Sequence, residues 1–157
     1  MRLDKRKPSG REKDEASIKL LAQLREKLHS EQVGTARRAA FNLSWMQEDG
    51  LDILKEALFS RASRNAKSAA AYGLRKMRGR MEKIALDLLS QGLKYPDRST
   101  ATVCENALIV LKSRYPGKFT SEEKIQIGKL KIRQIQQKKR RKEAIQNVGN
   151  RRNNFPK

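Results

Sequence analysis

The chain has a single cysteine, Cys104, and a single histidine, His29. One cysteine cannot form an intramolecular disulfide and fits a reducing compartment, while one histidine excludes metal sites that need two. Glycine-rich phosphate-binding loops are also missing. We therefore expect no catalytic residues, no metal and no cofactor, which favours a binding protein over an enzyme.

Long apolar runs are absent as well. No stretch approaches the roughly 18 to 20 apolar residues of a membrane-spanning helix, and residues 1–13 lack the apolar centre of a secretory signal. The sequence thus predicts no membrane span and an intracellular, cytoplasmic location. In a eukaryote the location could be nuclear, since the basic run 138–142 is typical of an import signal.

Acidic residues are scarce. There are 17 Asp and Glu against 37 Lys and Arg, which gives a net charge of +20. So strong a positive field needs a polyanionic partner. Nucleic acid is the first candidate, because a basic surface that neutralises phosphates releases condensed counterions. An acidic protein and an anionic membrane surface are the other candidates.

The two ends of the chain hold most of this charge. Residues 1–13 have a net charge of +4, residues 14–117 of +6 and residues 118–157 of +10. Mixed signs are typical of a folded domain, and strongly basic ends are typical of arms that lie along phosphates. The pattern predicts a basic N-terminal arm (1–13), a helical repeat domain (14–117) and a basic C-terminal helix and tail (118–157).

An internal repeat organises the middle segment. The run 39–43 (AAFNL) recurs 31 positions later as 70–74 (AAYGL), and a weaker third copy includes 107–111. A repeat of this length is one helical hairpin that cannot bury its apolar side alone, so neighbouring hairpins must stack. Apolar residues recur every three or four positions and nowhere alternate. The sequence predicts an all-α fold, a short α-solenoid of about three hairpins.

The same periodicity predicts which side chains are buried and where helices end. The Asp49–Gly50 pair signals a helix end, and Thr120 with Glu123 forms a capping box that opens a last helix. Beyond Ile135 the apolar pattern stops, so the basic run that follows should fray without a polyanion. The predicted buried positions include Ile18, Val33, Ala36, Leu43, Leu74, Ile84, Cys104, Ile125, Ile132 and Ile135.

The runs 33–43 (VGTARRAAFNL) and 66–74 (AKSAAAYGL) resemble the inner helix of HEAT repeats, in particular the short bilin-lyase-type repeat. The resemblance covers about residues 30–112 and implies a scaffold for proteins or nucleic acids. Alkylpurine DNA glycosylases are similar HEAT-like solenoids that present Trp and Asp on a basic surface. Here Asp49 and Asp52 are better explained by a helix junction, so this activity is not expected.

The HEAT resemblance also implies that the inner helices line a groove with their exposed positions. These positions form a candidate basic strip with Trp45 and Tyr72 as candidate stacking residues, although Tyr72, equivalent to Phe41, is expected to pack between hairpins rather than to be exposed. The alternative is that the same cations are ordinary solvated or bridging groups. The strip comprises Arg37, Arg38, Lys67, Arg75, Lys76 and Lys112.

The C-terminal arm is the sharper candidate site. Its cations would supply about 6 to 10 phosphate contacts, enough for strongly salt-dependent binding. Phe155 is a second stacking candidate. The arm's candidates for phosphate contact are Lys131, Arg133, Lys138, Lys139, Arg140, Arg141, Lys142, Arg151 and Arg152.

These features together predict a non-catalytic, nucleic-acid-binding scaffold. The basic tails, and the absence of a sequence motif that reads the DNA major groove, favour RNA and an association with the ribosome or another ribonucleoprotein. Two alternatives stay open. One is a DNA-binding HEAT-like protein, and the other is a protein-interaction adaptor for an acidic partner.

Overall fold

A computed structural model describes the backbone of residues 14–153 and the side chains of residues 14–117 and 119–146. Within these bounds the chain forms seven α-helices, one short 3-10 turn and no strand, which confirms the all-α prediction. The helices are α1 (Glu15–Leu28), α2 (Val33–Trp45), α3 (Gln47–Phe59), α4 (Arg64–Lys76), α5 (Arg80–Gly92), α6 (Arg98–Arg114) and α7 (Ser121–Asn153), with the 3-10 turn at Pro116–Lys118.

Short-range signals in the sequence set several helix starts. At α1 the Asp14 carboxylate accepts the backbone N–H of Ser17 at 2.6 Å. At α7 the predicted capping box is confirmed: the backbone N–H of Thr120 donates to Glu123 Oε2 at 2.7 Å, and that of Glu123 donates to Thr120 Oγ1 at 3.3 Å. Such caps satisfy N–H groups that have no partner within the helix.

The break between α2 and α3 lies at Met46 and Gln47, where Gln47 has a φ of 49°. The predicted helix end at Asp49–Gly50 is therefore wrong, because Gly50 lies inside α3. A glycine is required here for packing, because a Cβ at this position would lie 1.8 Å from the carbonyl oxygen of Leu43 in α2. Gly50 allows the two helices to meet backbone to backbone.

The chain divides into two compact units, Met1–Leu111 and Lys112–Lys157, with the division inside α6. In the first unit α2 packs on α3 and α4 packs on α5, and in addition α2 contacts α4 and α3 contacts α5. The domain boundaries inferred from charge stay predictions. Buried side chains of the first unit include Leu28, Leu43, Ile53, Leu54, Leu58, Leu74, Met77, Leu89 and Cys104.

Three apolar residues that the periodicity placed in the core are instead exposed. Ile18 is 39% exposed, Val33 54% and Ile84 43%. Each lies at the rim of the buried stripe of its helix, so a helix covered on one side leaves it in solvent. The other predicted core positions of α2 include Ala36, Ala40 and Leu43, and these are confirmed as fully buried.

Polar contacts also join helices of the first unit. Arg25 of α1 forms an ion pair with Glu56 of α3. The side-chain amide of Asn65, in α4, donates to the carbonyl oxygen of Ser30 at 2.9 Å. The hydroxyl of Tyr95 donates to the carbonyl oxygen of Phe59 at 3.0 Å. The ion pair joins two helices, and the two hydrogen bonds tie the loops that contain Ser30 and Tyr95 to a neighbouring helix.

The second unit contains the end of α6, the 3-10 turn and α7. Phe119 and Ile127 are buried, with 7% and 5% of their surface exposed. The prediction that Ile125, Ile132 and Ile135 form a packed face is wrong, because each is 58% or 59% exposed. Ile127 follows Ile125 by two positions, which turns a helix by about 200°, so the buried side lies opposite the predicted one.

Helix α7 continues through the basic run to Asn153, although the sequence favoured fraying after Ile135. Its first turn contains Glu122 and Glu123, and its cations are concentrated farther along, an order that complements the helix dipole. Despite its 33 residues α7 is no membrane span, and no other helix of the described chain is long and apolar enough to be one.

Candidate nucleic-acid interface

The densest positive charge lies on α7. Over Ser121–Asn153 the sequence has eleven Lys and Arg against three Glu. Successive helical residues are rotated by about 100°, so the five consecutive cations at 138–142 surround the helix axis. The predicted contact residues that are exposed, and that form no ion pair with a carboxylate of the described residues, are Lys131, Arg133, Lys138, Lys139, Arg140, Arg141 and Lys142.

The remaining arm residues are described only in part. Arg151 and Arg152 belong to α7, but their side chains lie outside the described ones, and Phe155 lies beyond the described residues. Their roles stay predictions. Lys112, of the second unit, is half-buried, and its ammonium donates to the carbonyl oxygen of Lys124 in α7. This hydrogen bond gives Lys112 a structural role within its unit.

Part of the predicted basic strip gathers around one aromatic ring of the first unit. Tyr72 of α4 has Arg37 Cζ at 5.7 Å from its ring centroid, Arg75 Cζ at 5.2 Å and Lys76 Nζ at 5.7 Å. Cations at these distances are attracted by the negative charge on the ring faces. The tyrosine therefore concentrates three cations from α2 and α4 in one place, a role the sequence interpretation missed.

Lys67 does not belong to the strip. Only 4% of this residue is exposed, and its ammonium donates to Asp97 Oδ2 at 2.5 Å and to Thr100 Oγ1 at 3.0 Å. The repeat indicated this burial, because Lys67 occupies the position equivalent to Ala36, 31 residues earlier, and Ala36 is fully buried. A buried, paired ammonium cannot hold a phosphate, so the assignment of Lys67 to nucleic-acid binding is wrong.

The Lys67–Asp97 pair should be asymmetric in its effect on stability. The Lys67 side chain is 5% exposed and that of Asp97 is 41% exposed. Asp97→Asn keeps one oxygen, which can still accept the N–H of Thr100, but leaves the buried Lys67 ammonium without its anion, whereas Lys67→Met leaves a carboxylate that reaches water. We expect Asp97→Asn to lower the melting temperature more, measured by circular dichroism at pH 7. Equal losses would contradict this placement.

Acid should remove the difference in melting temperature between the wild type and Asp97→Asn. The Lys67 ammonium, followed by the Thr100 hydroxyl, holds the pKa of Asp97 well below its usual range. A depressed carboxyl pKa contributes stability above the ordinary value of about 4, and that contribution is lost as the pH falls through the folded-state pKa. The melting temperatures of the wild type and Asp97→Asn should therefore converge as the pH is lowered below about 4.

Trp45 and Phe41 form an exposed aromatic pair on α2. Trp45 is 68% exposed and Phe41 39% exposed, and their ring centroids lie 6.1 Å apart at an interplanar angle of 78°. Edge-to-face pairs of this kind restrict ring orientation. The stacking candidate Trp45 is thus on the surface, beside a second ring that the sequence had not assigned to a site.

The described residues offer few groups for chemistry. No three His, Cys, Asp or Glu side chains in this part of the chain come together in a way that could hold a metal ion. Burial raises the pKa of the Cys104 thiol to about 12, so it is protonated at neutral pH. No family model, curated protein or solved structure matches the chain.

Proposed function

We propose that this chain is a non-catalytic RNA-binding scaffold, a component of or factor on a ribonucleoprotein particle such as the ribosome. Helix α7 carries the proposal, because its cations at 138–142 point to every side and have no ion pair among the described carboxylates. Like charges on one helix repel each other. Phosphates offset that repulsion and release counterions when they bind.

The first unit serves as the scaffold in this proposal. We assign it a HEAT-like arrangement in which the α2–α3 hairpin stacks on the α4–α5 hairpin. The contacts of α2 with α4 and of α3 with α5 support this assignment, since stacked hairpins contact each other helix by helix. RNA is favoured over DNA because the sequence has no helix-turn-helix or Cys/His finger to read a major groove.

Neutralising the basic run tests the proposal. In the variant with Lys138, Lys139, Arg140, Arg141 and Lys142 all changed to Gln, we expect weaker binding to unrelated RNA sequences alike. The slope of log K against log salt concentration is negative, and it should become less steep by about 0.7 to 0.9 for each phosphate that the variant no longer neutralises. Fluorescence anisotropy with labelled RNA, titrated at several salt concentrations, measures both. Thermal stability should not change, because these side chains are exposed.

A matched control removes the same charge elsewhere. It changes five exposed cations of the first unit to Gln and should keep most of the wild-type slope: Lys55, Arg61, Lys83, Lys94 and Arg98. Equal effects in the two variants would mean that net charge alone acts. Unchanged affinity and slope in the α7 variant would remove α7 from the mechanism. Failure of the wild type to bind any nucleic acid, with capture of an acidic protein instead, would favour the adaptor.

A further inference from the structure

The exposed face of α2 continues into the cation cluster at Tyr72. Arg37, Phe41 and Trp45 follow one another at intervals of four residues, so they form one ridge along the helix. At one end of the ridge is the indole of Trp45, and at the other Arg37 lies over the ring of Tyr72. Aromatic rings and cations therefore alternate across α2 and α4.

The two repeat copies use the same position differently. Phe41 and Tyr72 are equivalent, and so are Trp45 and Lys76, each four residues farther along its helix. The first copy has an edge-to-face aromatic pair at this position, with centroids 6.1 Å apart. The second copy has a cation 5.7 Å from the ring centroid. One copy thus presents a flat apolar surface and the other a positive charge.

Two cations of this cluster, Arg37 and Lys76, are available to a ligand. Neither Arg37 nor Lys76 forms an ion pair with a carboxylate of the described residues. Arg37 is exposed and Lys76 is half-buried, and the Tyr72 ring holds both near one point. An isolated cation on a flexible side chain must be ordered before it binds, and this arrangement supplies part of that order in advance.

Alternating rings and cations match one class of polyanion. A single strand exposes a base and a phosphate in each nucleotide, and proteins bind such strands by stacking bases on aromatic rings over a positively charged track. A duplex keeps its bases stacked inside, where Trp45 could not reach their faces. An acidic peptide would satisfy the cations but gives no reason for an indole that is 68% exposed.

We propose that the ridge of Arg37, Phe41 and Trp45, together with Lys76 at the Tyr72 ring, binds a single-stranded segment of RNA. One base stacks on Trp45, and the adjoining phosphates lie against Arg37 and Lys76. This inference rests on the proposed function and adds to it the form of RNA that is recognised. In this arrangement α7 contributes salt-dependent affinity for any RNA, and the ridge contributes a preference for unpaired bases.

Tryptophan fluorescence tests the stacking directly, because Trp45 is the only tryptophan of the chain. A twelve-nucleotide unpaired RNA should quench its emission, whereas a blunt-ended RNA duplex, in which every base is paired, should bind through its phosphates and leave the emission nearly unchanged. The five-site α7 variant should show the same quenching at saturating RNA. A single-stranded DNA of the same sequence is the third probe, and an acidic peptide is the fourth.

Affinity measurements on full-length variants complete the test. Trp45→Ala should weaken binding of the unpaired RNA by about 5- to 150-fold, the effect typical of one stacked base, with the salt slope unchanged. Trp45→Phe should restore most of the loss and Trp45→Leu should not. Circular dichroism should show all three variants folded as the wild type, since the indole is exposed.

The outcomes separate this inference from the proposed function. If the wild type binds RNA and Trp45→Ala binds it equally well, the ridge is not a stacking site and the RNA-binding proposal stands. Tighter binding of the blunt-ended duplex than of the unpaired RNA, or stronger quenching by the DNA or the acidic peptide, also overturns the inference. If no RNA binds at any salt concentration, both proposals fail.

Discussion

Leu74→Asp is expected to unfold the first unit or bring it close to unfolding. Leu74 is 2% exposed in α4, the helix that packs on α2, α3 and α5. The substitution removes a buried aliphatic group and places a carboxyl group without a partner in its position. We expect the free energy of unfolding to fall by about 4 kcal/mol or more, a large part of the total for a small domain. Chemical denaturation followed by circular dichroism measures the loss.

Ile84→Asp is the matched control for this substitution. Ile84 belongs to the same helix pair and lies on the predicted apolar face, yet 43% of its surface is exposed. An aspartate there reaches water, so we expect a loss of about 1 kcal/mol or less. If Ile84→Asp were as damaging as Leu74→Asp, the buried face of α5 would be assigned incorrectly.

Gly50→Ala should destabilise the first unit through one added methyl group. Its Cβ would lie 1.8 Å from the carbonyl oxygen of Leu43 and 2.8 Å from the carbonyl carbon. Both atoms belong to the backbone of α2, so the conflict cannot be relieved by a side-chain rotation. The helices must separate, and we expect a loss of about 3 kcal/mol or more in the free energy of unfolding, again by chemical denaturation.

Gly34→Ala separates this packing effect from helix propensity. Gly34 lies in α2, and a Cβ there would meet no atom within 4 Å. Alanine favours the helix by up to about 1 kcal/mol relative to glycine, so Gly34→Ala should leave stability unchanged or raise it. A Gly50→Ala variant as stable as Gly34→Ala would show that α2 and α3 are not in backbone contact.

Gly50 also shows the limit of local sequence signals. The repeat and its periodicity were sufficient to predict an all-α fold, because hydrophobic spacing is a property of each helix alone. A glycine after an aspartate is a common turn signal, but a glycine also permits close contact between two helices. Only the approach of Leu43 from the preceding helix decides between them, and that distance has no counterpart in the sequence.

The candidate site was predictable to a similar degree. Charge density alone located the exposed cations of α7, because lysine and arginine remain in solvent unless a partner compensates them. Lys67 was misassigned because its partner Asp97 lies 30 residues farther along the chain. The cluster at Tyr72 was missed because it joins α2 to α4, and the ring had been expected to pack rather than to hold cations.

The polar contacts between helices of the first unit have a consequence for how this unit folds. The Arg25–Glu56, Lys67–Asp97 and Tyr95–Phe59 contacts close loops of 31, 30 and 36 residues. The entropy lost on closing a loop depends only on the logarithm of its length, so these closures cost nearly the same. None of these three contacts joins one end of the first unit to the other. Each contact joins residues about one helix pair apart, which keeps the contact order of this unit low, and we expect the unit to fold rapidly for its size.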